Sequence, residues 1–218
     1  MEITPAVLAE SEADCKAKLF HPGLRKVAKR FHIDVLDHTL VPKTCWADPA
    51  IIGSWPHLPE IEIHLMVTHP SRHAAVWKTK VPTLQNVIIH AESITDPVRM
   101  CERMSLMGLS VTLAVNPETE IEAFHEVTAC ANELLIMGVQ PGASGQAFLE
   151  DIALSKIRRA RALFPHLAIA VDGGVNTKSV QSIAKAGATR AVAASALWAS
   201  HAPEEALEEL SNCAIIGT

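Results

Sequence analysis

Tyrosine is absent from this chain of 218 residues, and only five Phe and four Trp are present, so any core it builds is largely aliphatic. A cationic excess is missing too: 19 Lys and Arg against 24 Asp and Glu leave a formal net charge of −5. That balance offers no electrostatic footprint for nucleic acid or an anionic membrane, and neither partner is expected. Charged residues make up only 20% and hydrophobic residues 49%, which excludes a disordered polymer. Ten Gly and thirteen Pro, dispersed, exclude collagen and low-complexity chains. Long apolar runs are lacking as well. The longest uncharged stretch near the middle, Leu134 to Leu149, is broken by Gly138, Pro141, Gly142 and Gly145 and is too short to cross a bilayer. Met1-Glu2-Ile3-Thr4-Pro5 carries no basic segment ahead of an apolar one, so no targeting signal is expected. The five cysteines (Cys15, Cys45, Cys101, Cys130, Cys213) form no CxxC and read as reduced thiols of a cytoplasmic protein.

What is present is alternation. Short β-type apolar runs lie near Ile3–Leu8, Phe31–Leu36, Ile61–Val67, Asn86–His90, Ser110–Val115, Leu134–Val139, Leu167–Val171 and Arg190–Ala194. Several are continuously apolar, as in a sheet covered on both faces. Helical signals separate them. Asn116-Pro117-Glu118 reads as a helix start, with Ile121, Phe124 and Thr128 on one face. Leu149, Ile152, Ile157, Ala160 and Leu163 keep a helical period. Asn176-Thr177 opens a helix that Gly187 ends, and Pro203-Glu204-Glu205 begins the last, with Leu207, Leu210 and Ala214 as its stripe. The Pro42–Ile61 connection has room for only a short helix. Eight such units at about 27 residues each suit a single (β/α)8 TIM barrel domain over residues 1–218. A doubly wound open sheet is the alternative, but no Gly-rich loop follows the first strand. The basic residues around Lys16–Arg30 and Lys156–Arg161 read as solvated helix faces.

In a barrel, chemistry sits at the carboxyl ends of the strands. His32 and Asp34 are two apart and share one face of an otherwise apolar strand, where burying them costs several kcal/mol unless they are paired or hold a metal. His64 and Asp172 occupy similar places on other strands. Two imidazoles and two carboxylates suit one borderline divalent ion, Zn²⁺, Fe²⁺, Mn²⁺ or Co²⁺. His90 reads as a satisfied core histidine. His38, His57, His69, His73, His125, His166 and His201 read as surface or loop residues. Met66 and Met137 are either core or the lining of a substrate pocket. Gly173-Gly174, Ser195 and the loop Gly142-Ala143-Ser144-Gly145 lie where barrels often bind phosphate on backbone amides.

These residues resemble the ribulose-phosphate 3-epimerase family. The resemblance rests on His32-Ile33-Asp34-Val35-Leu36-Asp37 with Val41-Pro42, Ile63-His64-Leu65-Met66-Val67, His90-Ala91-Glu92, Met137, Pro141-Gly142, Gly145-Gln146, Val171-Asp172-Gly173-Gly174-Val175, Ala186-Gly187-Ala188 and Ser195-Ala196. They occur in family order from the first strand to the last. The resemblance implies interconversion of D-ribulose 5-phosphate and D-xylulose 5-phosphate, a step of pentose phosphate metabolism, with one divalent metal per chain, Zn²⁺ foremost. His32, Asp34, His64 and Asp172 would be the ligands, Asp34 the proton acceptor and Asp172 the donor. His64, Met66 and Met137 would border the substrate, and Gly142 to Gly145, Gly173-Gly174 and Ala194-Ser195 would hold its phosphate. A homo-oligomer is implied as well. The chain departs from the family pattern at Ala6, Leu36, His38-Thr39-Leu40, Lys43, Ala143-Ser144 and Ala194, where the family usually has other residues. The acid–base and metal set is intact and the substrate shell has drifted, which leaves open a longer ketose phosphate such as allulose 6-phosphate, or a silent sugar-phosphate-binding paralogue.

Overall fold

Ladder hydrogen bonds join eight parallel strands in chain order, and β8 pairs back onto β1 to close a barrel. The computed structural model describes residues 1–124 and 131–215. The strands are β1 (Glu2–Val7), β2 (Phe31–Leu36), β3 (Ile61–Met66), β4 (Asn86–His90), β5 (Ser110–Val115), β6 (Glu133–Met137), β7 (Ala168–Asp172) and β8 (Arg190–Ala193). The helices are α1 (Glu12–Leu19), α2 (Leu24–Val27), α3 (Pro49–Ser54), α4 (Pro70–Lys80), α5 (Pro97–Leu106), α6 (Glu150–Leu163), α7 (Val180–Ala186), α8 (Ser195–Trp198) and α9 (Pro203–Ile215). This is a (β/α)8 barrel, as the alternation predicts.

Local chemistry starts several helices. Ser11, Asp48 and Asp96 each accept backbone N–H bonds in the first turn of α1, α3 and α5, and proline begins α3, α4 and α5, where its missing N–H costs nothing. Gly187, at φ 112°, ends α7 in the left-handed region that a Cβ disfavours.

Because a strand's side chains alternate, each strand sends one set outward against the helices and the other into the barrel. The outward set is the large aliphatic core, including Ile33, Ile63, Leu65, Ile89, Leu113, Ile136 and Val171. Inside, a separate apolar layer of Ala6, Ile88, Ala114, Leu135, Met137, Ala170 and Val192 fills the middle. Beneath it, towards the strand N-termini, lies a polar layer: Arg190 bridges Glu62 and Glu133, and Asn86 donates to Glu62. Above it sit the ionisable groups of the mouth.

Strand boundaries match the expected ones within about two residues; β6 ends at Met137 rather than Val139, and β7 runs on to Asp172. Other expectations need correcting. Asn116-Pro117-Glu118 forms a turn followed by a 3-10 segment at Ile121–Phe124, and Thr128 lies outside the described residues, as do His125 and Cys130. Asn176 does not open a helix: its side chain caps a turn through the amides of Lys178 and Ser179, and α7 begins at Val180. Ile152 is 48% exposed, off the buried stripe of Ala153, Leu154, Ile157 and Ala160. Nor are the basic residues all solvated. Lys156 donates to the carbonyls of Asn116, Pro117 and Thr119, and Arg161 to those of Gly187, Pro165 and Leu167, because those loop carbonyls have no strand or helix partner.

Candidate active site

Parallel pairing decides which side chains meet. The β2–β3 register sets His32 beside Glu62 and Asp34 beside His64, and the β6–β7 register sets Met137 beside Asp172. All of these point inward, and β7 brings Asp172 in from the other side of the mouth. His64 Nδ1 then lies 3.3 Å from Asp34 Oδ1, 3.3 Å from Asp172 Oδ2 and 3.2 Å from His32 Nε2. His32 Nε2 is 3.3 Å from Asp34 Oδ1. One donor atom from each of the four falls within 4.8 Å of the others. Cys45 steadies the end of β2: its thiol accepts from the Leu36 amide and donates to the Asp34 carbonyl, each at 3.2 Å.

The two imidazoles are fully buried and Asp34 nearly so. Burial works against the charge on Asp34, yet hydrogen bonds to His32 and His64 hold its carboxyl well below the usual range. Burial also disfavours an imidazolium at His32, but hydrogen bonds to Asp34 and Glu62 outweigh it and push that histidine up to about 10. His64 is raised against its burial by Asp172 and Asp34. Two carboxylates and two imidazole nitrogens packed this closely demand positive charge at their centre. The donor set, mixed nitrogen and oxygen on rigid strands, fits a borderline divalent cation.

Above the cluster lies a small cleft of about 50 Å³ that opens to solvent. Asp34, Met66, Met137, Gly142, Ala143, Ser144, Gly145, Asp172, Gly173, Gly174, Ala194 and Ser195 all line it. His32 and His64 are beneath its floor. Gly173 and Gly174 have φ of 94° and 70°, and a Cβ on Gly174 would stand 2.7 Å from the Phe148 backbone, so only glycine permits this turn. Ala194 precedes the single turn α8, whose first amides lack intrahelical acceptors.

Sequence reasoning missed the groups behind the cluster. Glu62 is fully buried and accepts from His32 Nδ1 at 2.9 Å, Arg190 Nη1 at 2.6 Å and Asn86 Nδ2 at 3.0 Å. Its position two residues before His64, on the same strand face, was the available signal. His90 is buried, as expected of a core histidine, but its ring lies nearly parallel to that of His64, 9° between the planes, with Nε2 atoms 2.8 Å apart. His90 Nδ1 faces Glu92 at 3.4 Å, and Glu92 accepts from the Asn116 amide and the Thr119 hydroxyl.

A closed eight-stranded parallel barrel with an ionisable cluster at the carboxyl ends of β2, β3 and β7 defines a TIM-barrel enzyme class. Solved structures agree on the fold: 3-hexulose-6-phosphate synthase from Salmonella typhimurium aligns with a TM-score of 0.72 over 100% of both chains at 16% identity. Orotidine 5′-monophosphate decarboxylase from Sulfolobus solfataricus gives 0.68 over 99% of this chain and 98% of its own at 11% identity. The Ribulose-phosphate 3 epimerase family model matches residues 2–198, and the chain belongs to that family. Proteins named ribulose-phosphate 3-epimerase are 29% identical in Mycobacterium leprae, covering 95% of this chain and 92% of theirs, and 30% identical in Helicobacter pylori, covering 83% and 84%. The relative from Candida glabrata is 26% identical over 94% of this chain and 89% of its own. This protein is therefore an isomerase of the epimerase type. No helix among the described residues is long and apolar enough to cross a membrane.

Proposed function

We propose that the protein interconverts D-ribulose 5-phosphate and D-xylulose 5-phosphate by moving a proton at C3, as a cytoplasmic enzyme of pentose phosphate metabolism. The observation that carries this reading is the convergence of Asp34 and Asp172, from strands on different sides of the mouth, beside one histidine and under one cleft.

Epimerisation beside a ketone removes a proton from one face of a carbon and returns one to the other. Asp34 accepts the proton as a carboxylate while Asp172, in its protonated form, supplies one from the opposite side, and the two exchange states with each turnover. His32, Asp34, His64 and Asp172 would hold one divalent cation, Zn²⁺ foremost with Fe²⁺, Mn²⁺ and Co²⁺ as alternatives. When bound, it supplies Lewis-acid stabilisation of the charge developing on the substrate oxygens. Gly142–Gly145, Gly173-Gly174 and Ala194-Ser195 hold the phosphate and so fix C3 between the two acids, which removes much of the entropic part of the barrier. Met66 and Met137 give that carbon an apolar, adaptable floor.

A second reading, a longer ketose phosphate such as allulose 6-phosphate, is favoured by one observation. A neighbouring cavity of about 740 Å³ shares Leu8, Gly142, Ala143, Ser144, Ala194 and Ser195 with the cleft and extends to Lys43 and Trp46. Deuterium wash-in from D2O at C3, over a panel of ketose phosphates, separates the two readings. Ribulose 5-phosphate is expected to exchange fastest, and Asp34→Asn and Asp172→Asn are each expected to abolish exchange. A near-normal rate in either variant refutes the two-acid scheme, and no exchange on any ketose phosphate refutes the enzyme reading.

A further inference from the structure

The four clustered groups have fixed roles only if each histidine turns an unprotonated nitrogen to the centre, and the structure supplies a separate device for each ring. This inference rests on the metal-site reading above. His32 is the direct case. Its Nδ1 lies 2.9 Å from Glu62 Oε1, which already accepts from Arg190, so Nδ1 carries the hydrogen and donates. With a cation bound at the centre, His32 Nε2 is then the nitrogen that faces it, beside Asp34.

His64 presents the opposite nitrogen. Its Nδ1 faces the cluster, while Nε2 meets His90 Nε2 at 2.8 Å. A contact that short between two ring nitrogens needs one hydrogen between them, and either ring could own it. Glu92 decides which. Its Oε1 accepts from the Asn116 amide and the Thr119 hydroxyl, so the carboxylate is an acceptor throughout, and its Oε2 faces His90 Nδ1. His90 therefore carries its hydrogen on Nδ1 and donates to Glu92, leaving its Nε2 bare. That bare nitrogen accepts from His64 Nε2–H, and His64 Nδ1 is the nitrogen left to face a bound cation.

We propose that Glu92 and His90 form a positioning relay that sets the ring tautomer of His64 and so keeps its Nδ1 available as a ligand. Neither residue is within reach of the cluster itself; both act through His64. The relay also ties the site to the segment after β5, through the Asn116 and Thr119 bonds to Glu92.

Glu92→Gln is the discriminating change. The glutamine oxygen has to take the Asn116 and Thr119 donors, which turns its NH2 group towards His90 Nδ1. His90 must then accept there, donate from Nε2 to His64, and force the hydrogen of His64 onto Nδ1. The test uses the full chain stripped of metal, with Co²⁺ as probe and its visible absorption as readout. Wild type is expected to take up one Co²⁺ and His64→Ala to lose it; if wild type takes up none, the metal-site reading fails independently of the relay. Glu92→Gln is expected to remain folded and to bind Co²⁺ about 10- to 100-fold more weakly, the range for losing an outer partner of a ligating histidine. Binding within twofold of wild type overturns the relay while leaving the metal site standing. Nitrogen-15 histidine spectra of the Zn²⁺-loaded wild type decide the matter should the variant not fold. Hydrogen on His90 Nδ1 with His90 Nε2 bare supports the relay, and hydrogen on His90 Nε2 overturns it.

Discussion

Arg190 is the most heavily engaged cation inside the barrel, and removing it tests how the polar layer is held. The residue is 5% exposed. It donates to Glu62 at 2.6 Å, to Glu133 through Nε at 3.0 Å and Nη2 at 2.5 Å, and to Thr4 at 3.3 Å. In Arg190→Met, Glu62 stays fully buried with only Asn86, His32 and, at 3.7 Å, Arg30 near it. Breaking a buried pair by removing one partner costs about 3–5 kcal/mol. Glu133 is only partly buried and regains water, so the lower half of that range applies, about 3–4 kcal/mol. For a chain of this size each kcal/mol moves the melting temperature by about 2–4 °C, a drop of roughly 6–16 °C. Thermal and urea unfolding followed by far-ultraviolet circular dichroism measure it. A loss below about 1 kcal/mol would show that the layer is hydrated and the burial argument wrong. Arg190→Met combined with Glu62→Gln and Glu133→Gln is expected to recover more than half of the loss, since no uncompensated charge is then left inside.

Gly174→Ala places a Cβ 2.7 Å from the Phe148 backbone at a φ of 70°, so the β7–α7 turn must shift. Steady-state kinetics on the sugar phosphate should show KM raised at least about tenfold, equivalent to about 1.4 kcal/mol, with a smaller change in kcat; an unchanged KM removes this turn from the phosphate cradle. Glu92 gives a pH signature. Its burial opposes ionisation, but bonds from His90, Thr119 and the Asn116 amide bring its carboxyl down to about 2, against 4.5 for the unperturbed group. A lowered carboxyl stabilises the fold fully above its unfolded value and loses that contribution as pH falls towards the folded one. Acid unfolding curves of wild type and Glu92→Gln should therefore converge between about pH 4.5 and 2; a gap that persists unchanged below that window contradicts the assignment.

Much of this molecule was legible along the chain because two kinds of signal are local. The alternation of apolar runs and helical periods reveals eight β/α units, since burial on both faces of a parallel sheet needs continuous apolar strands. His32, Asp34, His64 and Asp172 stood out because ionisable groups on apolar strands are costly. The polar layer did not stand out. Glu62, Glu133 and Arg190 are joined to partners that lie 57 to 128 residues away, beyond the reach of any local pattern. The helix start was misplaced at Asn176 for a related reason: an asparagine caps a turn and a helix by the same bonds, and the packing of the next few residues decides between them.

By itself the sequence determined the barrel, the metal-type donor set and the glycine turns, because period, polarity and backbone freedom are written residue by residue. Only the tertiary structure decided which nitrogen of each histidine faces the centre and what stands behind it. Those facts depend on strand register and on contacts between β2, β3, β4 and β8, which exist only once the sheet has closed.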